Sequence, residues 1–220
     1  MNVETITSRQ NPLMTHLRKL ASSRSYRKKS GEYLCDGTKL LDEALKWGAP
    51  VQTAVFSDGV EIPTLPDTVR AVCVSEDLMR SVSPMETPQG ALFTVALPET
   101  KLPETLAGKH YLVLDGVQDP GNVGTILRTA AAANAGAVLL SEGSVDVYND
   151  KTIRSAMGAI FKVPVVQDVT DEQLDQFCAN EDRQGPSRMS TPTTASLSSW
   201  PSATRATACL VLSWTAAMTY

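Results

Sequence analysis

The sequence predicts an α/β fold in two parts, and three observations lead to that prediction. Strand and helix patterns alternate from residue 32 to residue 97, as they do in α/β domains. Residues 98–105 are polar, contain two prolines and lack apolar periodicity, which is typical of a linker. After them, an apolar strand, a glycine-containing turn and an alanine-rich helix form a strand–helix–strand unit. We therefore expect a domain at 1–97, a linker at 98–108 and a second domain at 109–220.

The first domain should begin with an amphipathic helix. Leu13, Leu17 and Leu20 fall at helical spacing. Asn11 is suited to cap this helix and Pro12 to occupy its first turn, so we expect it over 11–22. A basic loop over 24–29 should follow. The remaining expected elements are strands at 32–35, 51–56, 71–74 and 91–96 and helices at 39–47 and 76–82.

The second domain should begin with a strand over 111–115, whose continuous apolar run is typical of a parallel strand buried on both faces. We expect a turn at 118–124, a helix at 125–134 capped by Gly136, and a strand at 137–140. A helix at 151–157, a strand at 162–166 and a helix at 172–178 should follow. Beyond Asp182 there is no Asp, Glu or Lys, and Ser, Thr, Ala and Pro dominate 187–208. Such composition predicts a poorly ordered segment.

Composition excludes several classes of function. The net charge of −4 argues against a general polycation, so any nucleic-acid affinity must come from a local patch. One such patch is the run from Arg9 to Lys29, which has seven basic residues and no acidic one; alone, it fits a solvated face equally well. The four cysteines are scattered and the two histidines isolated, so we expect free thiols and no metal site. There is no secretory leader or long apolar run, which predicts a cytoplasmic protein without membrane contact.

The run Asp119-Pro-Gly-Asn-Val-Gly-Thr-Ile-Leu-Arg-Thr-Ala joins the apolar strand to the helix. Backbone N–H groups at such a junction form a natural anion site. Gly121 and Gly124 allow a tight turn, and Arg128 lies one helical turn beyond Gly124. A helix cap with a surface arginine is the plain alternative. The run matches neither the dinucleotide fingerprint nor the nucleotide-triphosphate loop.

Residues 119–132 resemble the first signature motif of the SpoU/TrmH RNA ribose methyltransferases, a family of the SPOUT superfamily. Lys151-Thr-Ile-Arg-Ser-Ala-Met-Gly-Ala-Ile-Phe-Lys-Val-Pro-Val is similar to the stretch that follows that motif. Ser8-Arg-Gln-Asn-Pro and Arg27-Lys-Lys-Ser-Gly-Glu-Tyr-Leu resemble the ribosomal-protein-like substrate-binding domain that such enzymes carry. The similarity covers about residues 5–180.

The resemblance implies S-adenosylmethionine-dependent methylation of a ribose 2'-hydroxyl in ribosomal or transfer RNA. It also implies a trefoil-knotted, parallel-sheet catalytic domain and a homodimer with shared active sites. Asn122 and Arg128 occupy the catalytic positions of the first motif. The residues expected to contact RNA are Arg9, Asn11, Arg24, Arg27, Lys28 and Arg154. For Arg154, pairing with an acidic residue at the surface is an equally good explanation.

The sequence departs from the family pattern after about residue 182. Neither the Gly-x-Glu-Gly-like loop nor the Ser-Leu-Asn-containing helix of the family is visible in 183–220, so the cofactor-binding residues are unknown. We expect an incomplete knot domain, with dimerisation conditional on folding of this segment. A tail read out of frame or ended early is one hypothesis. Two other functions stay open: a catalytically inactive RNA-binding relative, and a small-molecule anion-binding α/β protein.

Overall fold

The computed structural model describes residues 3–99, 101–102, 111–174 and 176–177, and the backbone of 209–211. The chain divides into two compact units: Met1–Pro98 with Tyr148–Phe161, and Glu99–Val147 with Lys162–Tyr220. The first unit therefore contains a segment that lies far along the chain. The domain and linker bounds 1–97, 98–108 and 109–220 stay a prediction.

The first unit contains a five-stranded sheet in the order β1-β4-β3-β5-β2. Strands β1, β4 and β3 pair in parallel, whereas β5 is antiparallel to both β3 and β2. The strands are β1 (Val3–Ile6), β2 (Glu32–Asp36), β3 (Val51–Ser57), β4 (Arg70–Val74) and β5 (Ala91–Ala96). The helices are α1 (Pro12–Ser22), α2 (Arg24–Ser30), α3 (Thr38–Lys46), α4 (Glu76–Arg80) and α6 (Asp150–Ala156), followed by a 3₁₀ turn at Ala159–Phe161.

Helix α1 matches its prediction. The Asn11 side chain accepts a hydrogen bond from the Leu13 backbone at 2.9 Å, and Pro12 fills the first turn. Leu17 and Leu20 are fully buried and pack in one core cluster with strand residues such as Val55. The leucine periodicity thus marks the face that α1 buries against the sheet.

The predicted basic loop at 24–29 is wrong, because these residues form helix α2. Ser23 caps its start, accepting a hydrogen bond from the Tyr26 backbone at 3.2 Å. Gly31 ends it with a φ of 73°, in the left-handed region that glycine occupies without strain. These two caps define a short helix, which the dense run of charged residues made difficult to recognise from the sequence. Strand β1 was also not predicted.

The segment 148–161 packs into the first unit through apolar contacts. Ile153 and Ala156 of α6 are buried, and the rings of Tyr148 and Tyr33 lie 4.6 Å apart. At Gly158, φ is 82° and a Cβ atom would lie 3.2 Å from the Glu43 side chain. This stretch resembles a family motif in sequence, and in the fold it packs against β2 and, at Gly158, against Glu43 of α3.

The second unit contains a four-stranded sheet in the order β8-β7-β6-β9. Strands β6, β7 and β8 are parallel, and β9 pairs antiparallel with β6. The elements are β6 (Tyr111–Leu114), α5 (Pro120–Ala132), β7 (Ala137–Ser141), β8 (Val165–Val169) and β9 (Cys209–Val211). Residues 171–174 and 176–177 are helical. The parallel part of the sheet confirms the predicted α/β class.

Helix α5 starts five residues earlier than predicted. Asp119 is its N-cap and Pro120 its first residue, so most of the expected turn at 118–124 is helical. Its C-cap is Ala133, followed by Asn134 with a φ of 53°; the predicted cap, Gly136, lies beyond. Strand β8 begins three residues later than expected. The predicted disorder at 187–208 lies outside the described residues.

Candidate functional site

The candidate catalytic segment is the junction between β6 and α5. The Asp119 carboxylate accepts a hydrogen bond from the Asn122 backbone at 2.7 Å, and the Asp119 carbonyl accepts one from Val123 at 3.1 Å. A Cβ at Gly121 would lie 3.1 Å from the Asp119 carboxylate, so glycine leaves room for the cap. Because a carboxylate already fills this helix N-terminus, the anion-binding alternative is disfavoured.

Asn122 and Arg128 both lie on α5, and both are exposed. They are six residues apart, which corresponds to about 9 Å along the helix axis. Helical side chains lean toward the N-terminus, so the Arg128 guanidinium can extend back toward Asn122. No ion pair of Arg128 with another residue of the described chain is found. The inner face of α5 carries the buried residues Val123, Gly124, Leu127 and Ala130.

A hydrogen-bond network holds the carboxyl ends of β6 and β7 together. The Ser141 hydroxyl donates to Asp115 Oδ1 at 2.8 Å and accepts from the Gly116 N–H at 3.0 Å. The Ser144 hydroxyl lies 3.4 Å from the Leu114 carbonyl. Neither serine was among the predicted site residues. The sequence offered one indication, which is that both serines follow a predicted parallel strand. The carboxyl ends of such strands are where α/β folds build sites.

S-adenosylmethionine is the cofactor that the resemblance implies, and the residues at this edge can be tested for a fit. Asp115 is half-exposed, but its Oδ1 atom already accepts from Ser141, and the Ser144 hydroxyl points at backbone and Ser141. These groups bond one another, so they do not by themselves form a site that fits the cofactor. Residues 183–220, in which the two further family motifs are not visible, lie outside the described residues apart from the backbone of 209–211.

The first unit holds all six residues predicted to contact RNA. Arg9 and Lys28 are exposed, and Arg24 is half-buried. Asn11 is half-buried and its side-chain oxygen caps α1, so this residue has a structural role. Lys19 and Lys29 are exposed cations on the same two helices, and the prediction omitted them.

Arg27 differs from the expected exposed contact. Its side chain is only 5% exposed, and one guanidinium nitrogen donates to the Leu20 carbonyl at 2.5 Å. A buried guanidinium bonded to backbone holds α1 and α2 together and is not presented to a ligand. This difference could not be predicted from the charge run, because Arg27 differs from Lys28 and Lys29 only in its burial in the folded chain.

An aromatic cluster lies beside the basic residues. The Tyr26 hydroxyl is 3.0 Å from His16 Nδ1, and the Lys19 ammonium lies 5.4 Å from the centre of the Tyr26 ring. His16 Nε2 is 3.5 Å from a carboxylate oxygen of Glu32. The Tyr26 ring thus restricts where the Lys19 charge is placed.

Arg154 lies on α6 within the first unit. Its guanidinium is 3.5 Å from the Asp150 carboxylate and also contacts the Met85 sulfur. These groups line a cleft together with Asp36. The Asp36 carboxylate accepts from the Ser83 hydroxyl at 2.5 Å. Burial raises the pKa of Asp36 above its ordinary value, although the Ser83 and Gln89 hydrogen bonds and the Arg154 charge oppose this.

Two further findings concern the described residues as a set. No group of three or more His, Cys, Asp or Glu side chains among them is placed to hold a metal ion. No helix within the described ranges has both the length and the apolar character needed to cross a bilayer.

Two family models match the chain. The model described as the SpoU rRNA Methylase family matches residues 109–212, and the MRM3-like substrate binding domain matches residues 11–92. The second match covers the basic helices α1 and α2, and the first covers the junction at Asp119. The two matched regions follow the order that the sequence resemblance predicted.

Curated relatives agree with these models. The 23S rRNA (guanosine(2553)-2'-O)-methyltransferase RlmP of Bacillus subtilis is 37% identical over 79% of this chain and 69% of its own length. The mitochondrial rRNA methyltransferase 3 of Mus musculus is also 37% identical, over 70% of this chain. The chain spans only 40% of the length of that mouse protein.

Solved structures show the same architecture. An AdoMet-bound rRNA methyltransferase from Sinorhizobium meliloti has a TM-score of 0.67 at 26% identity, covering 79% of this chain and 67% of that one. The SpoU methyltransferase AviRb from Streptomyces viridochromogenes, also solved with AdoMet, has a TM-score of 0.71, covering 80% and 70%. At 23% identity, the latter shares the fold. The two family-model matches of this chain and its identity to the Bacillus relative show that the chain belongs to the SpoU rRNA methylase family.

Proposed function

We propose that this protein transfers a methyl group from S-adenosylmethionine to a ribose 2'-hydroxyl of RNA, with ribosomal RNA as the favoured substrate. One observation supports this most strongly. The family motif at 119–132 folds as a capped helix start, with the exposed Asn122 in the first turn of α5 and the exposed Arg128 six residues further along the same helix. The names of the curated relatives favour ribosomal over transfer RNA.

Arg128 is proposed to hold the phosphate next to the target ribose and to stabilise negative charge developing on the 2'-oxygen. An arginine side chain stays positively charged in proteins, so it is a poor base. Its planar fork matches a phosphate, and a fixed positive charge stabilises an alkoxide-like transition state. Its exposure on α5 leaves the guanidinium accessible to RNA.

Asn122 is proposed to align the ribose. Its backbone N–H donates to Asp119, and its side chain is exposed at the helix start. Bound S-adenosylmethionine would supply an electrophilic methyl group, Asn122 would hold the ribose toward it, and the hydroxyl proton would pass to solvent. Alignment of this kind contributes several kcal/mol to catalysis.

The RNA-binding surface is proposed to comprise Arg9, Lys19, Arg24, Lys28 and Lys29. These cations lie on or beside α1 and α2, and no acidic residue interrupts their run. Phosphate contacts of this type position RNA without selecting its sequence. Arg154 is proposed as a weaker contact, because it shares its charge with Asp150.

The remaining expectations also stand as proposals: a homodimer, a knotted catalytic domain closed by residues after 182, and a cytoplasmic location. The parallel strands β6, β7 and β8 support the class of the catalytic domain, and the bacterial relative supports the cytoplasmic location. The homodimer and the closure of the knot depend on residues outside the described part of the chain.

Calorimetry with the purified full chain tests the proposal against the inactive RNA-binding alternative. We expect saturable heat from S-adenosylmethionine and, separately, a salt-dependent complex with ribosomal RNA. RNA binding without any heat from S-adenosylmethionine would support the inactive relative. Heat from S-adenosylmethionine without RNA binding would contradict the assignment of the basic helices.

A further inference from the structure

Segment 115–122 carries the chain from the end of β6 into the first turn of α5. We propose that Ser141 is a positioning residue for this segment and thereby for the proposed catalytic Asn122; this inference rests on the proposed function. Ser141 is the last residue of β7 and is 3% exposed. Its hydroxyl donates to Asp115 and accepts from Gly116, at 2.8 and 3.0 Å. One buried hydroxyl therefore satisfies a side chain and a backbone N–H on two successive residues of the segment.

The position of Gly116 makes this contact consequential. Its φ of 63° is in the left-handed region, so the chain changes direction here as it leaves the sheet. Three residues later Asp119 caps α5 by bonding to Asn122. Because the connection is so short, a displacement of Gly116 is passed on to the helix start.

Two further contacts hold the middle of the segment. The Val117 carbonyl accepts from the Val145 N–H at 2.9 Å, and the Gln118 amide donates to the Gly143 carbonyl. Both partners lie in the turn directly after Ser141. The end of β7 and the turn after it thus support the whole connection. Within this support, the Ser141 side chain holds Asp115 and Gly116, the first two residues of the segment.

Ser144 provides a matched control three residues away. It is also buried, at 7% exposure, and its hydroxyl lies 3.4 Å from the Leu114 carbonyl and 3.5 Å from Ser141 Oγ. Neither partner belongs to 115–122. Removing it therefore deletes a similar hydroxyl without releasing Gly116.

Replacing Ser141 should affect catalysis more than RNA binding. In Ser141→Ala the Gly116 N–H and the Asp115 carboxylate lose their common partner, and the segment gains freedom. Misplacement by about 1 Å can cost up to about a hundredfold in rate, so we expect kcat to fall between roughly tenfold and a hundredfold. KM for RNA should stay within about twofold, because all of the proposed phosphate contacts except Arg128 lie in the first unit.

The test combines hydrogen exchange and methyl-transfer kinetics on the full chain. Ser141→Ala should speed amide exchange across 115–122 and lower kcat, whereas Ser144→Ala should do neither and Ser141→Thr should restore most of both. If Ser141→Ala does not fold, Ser141→Cys is close in size and a weak hydrogen-bonding group, and should show the same changes. Unchanged exchange, an effect confined to KM, or an equal effect of Ser144→Ala would overturn the proposal.

The two proposals fail in distinguishable ways. Absence of methyl transfer by the wild-type chain contradicts the proposed function. Exchange across 115–122 is measured without any substrate, so it still decides whether Ser141 holds this segment.

Discussion

The Asp119 carboxylate accepts a hydrogen bond from the backbone N–H of Asn122 at 2.7 Å, so the residue that ends the β6 connection also starts the helix that carries Arg128. The geometry at Gly121 leaves room for this cap. Local helix capping and the placement of the proposed catalytic residues are therefore one structural feature, and changes to the cap should affect both stability and activity.

Asp119→Ala should lower the free energy of unfolding by about 0.5–2 kcal/mol, the usual cost of losing a helix N-cap. Urea denaturation measures this. Asp119→Asn keeps an oxygen acceptor and is the control; it should lose much less. Equal losses in the two variants would show that the carboxylate charge, and not the cap, is what matters.

Arg128→Ala should leave stability unchanged within about 0.5 kcal/mol, because the side chain is exposed. Methyl transfer should fall by about a hundredfold or more, the usual effect of removing an electrostatic stabiliser. Arg128→Lys keeps the charge but loses the fork, so it should recover only part of the activity. Thr129→Ala, an exposed change on the same helix, is the matched control, and a similar loss there would contradict the role of Arg128.

Lys28→Ala combined with Lys29→Ala should weaken RNA binding and reduce its salt dependence. Each phosphate contact contributes about 0.7–0.9 to the slope of log K against log salt, so the slope should fall by about 1.5. Titrations at several salt concentrations measure it. Lys46→Ala removes a cation that is 67% exposed on α3, and it should leave the slope unchanged. An equal reduction by Lys46→Ala would indicate only a general charge effect.

Arg27→Ala should destabilise the first unit by about 1.5–3 kcal/mol, because it removes a buried hydrogen bond from a charged group. Lys28→Ala, one residue further on the exposed face of α2, should change stability by less than about 0.5 kcal/mol. Thermal unfolding of both variants measures the contrast. Arg27→Ala with wild-type stability but weakened RNA binding would restore Arg27 as an RNA contact.

The raised pKa of Asp36 gives the first unit a specific pH dependence. Because burial raises the folded-state pKa above the ordinary value of 3.8, protonated Asp36 favours the folded state. This contribution is fully present below that value and is lost as pH rises through the higher folded-state pKa. Asp36→Asn can still accept from Ser83 and cannot ionise, so its stability relative to wild type should increase with rising pH across this range. A pH-independent difference would contradict the assignment.

Periodicity and cap residues were enough to predict α1, strands β2 to β8 and the identity of the candidate catalytic helix. They missed α2, since seven residues with a dense charge run show little apolar period and depend on the caps at Ser23 and Gly31. They also placed the start of α5 too late, because Gly121 and Gly124 suggested a turn where the Asp119 cap supports a helix.

Other features depend on contacts between distant parts of the chain. The burial of Arg27 requires the Leu20 carbonyl of the preceding helix, and the packing of 148–161 requires β2 and Glu43 of α3. The support of Gly116 by Ser141 joins residues 25 apart in sequence. Such contacts between distant residues cannot be predicted from the local sequence. The motif at 119–132, in contrast, is a continuous stretch and was recognisable on its own.

Mass spectrometry of nucleosides tests the central claim most directly. Unmodified ribosomal RNA is incubated with the full chain and S-adenosylmethionine, digested and examined for methylated nucleosides, with Arg128→Ala in parallel. We expect a nucleoside methylated on the ribose 2'-oxygen, formed by the wild type and largely absent with Arg128→Ala. Methylation on a base, or no methylation by a folded chain that binds the RNA, would contradict it.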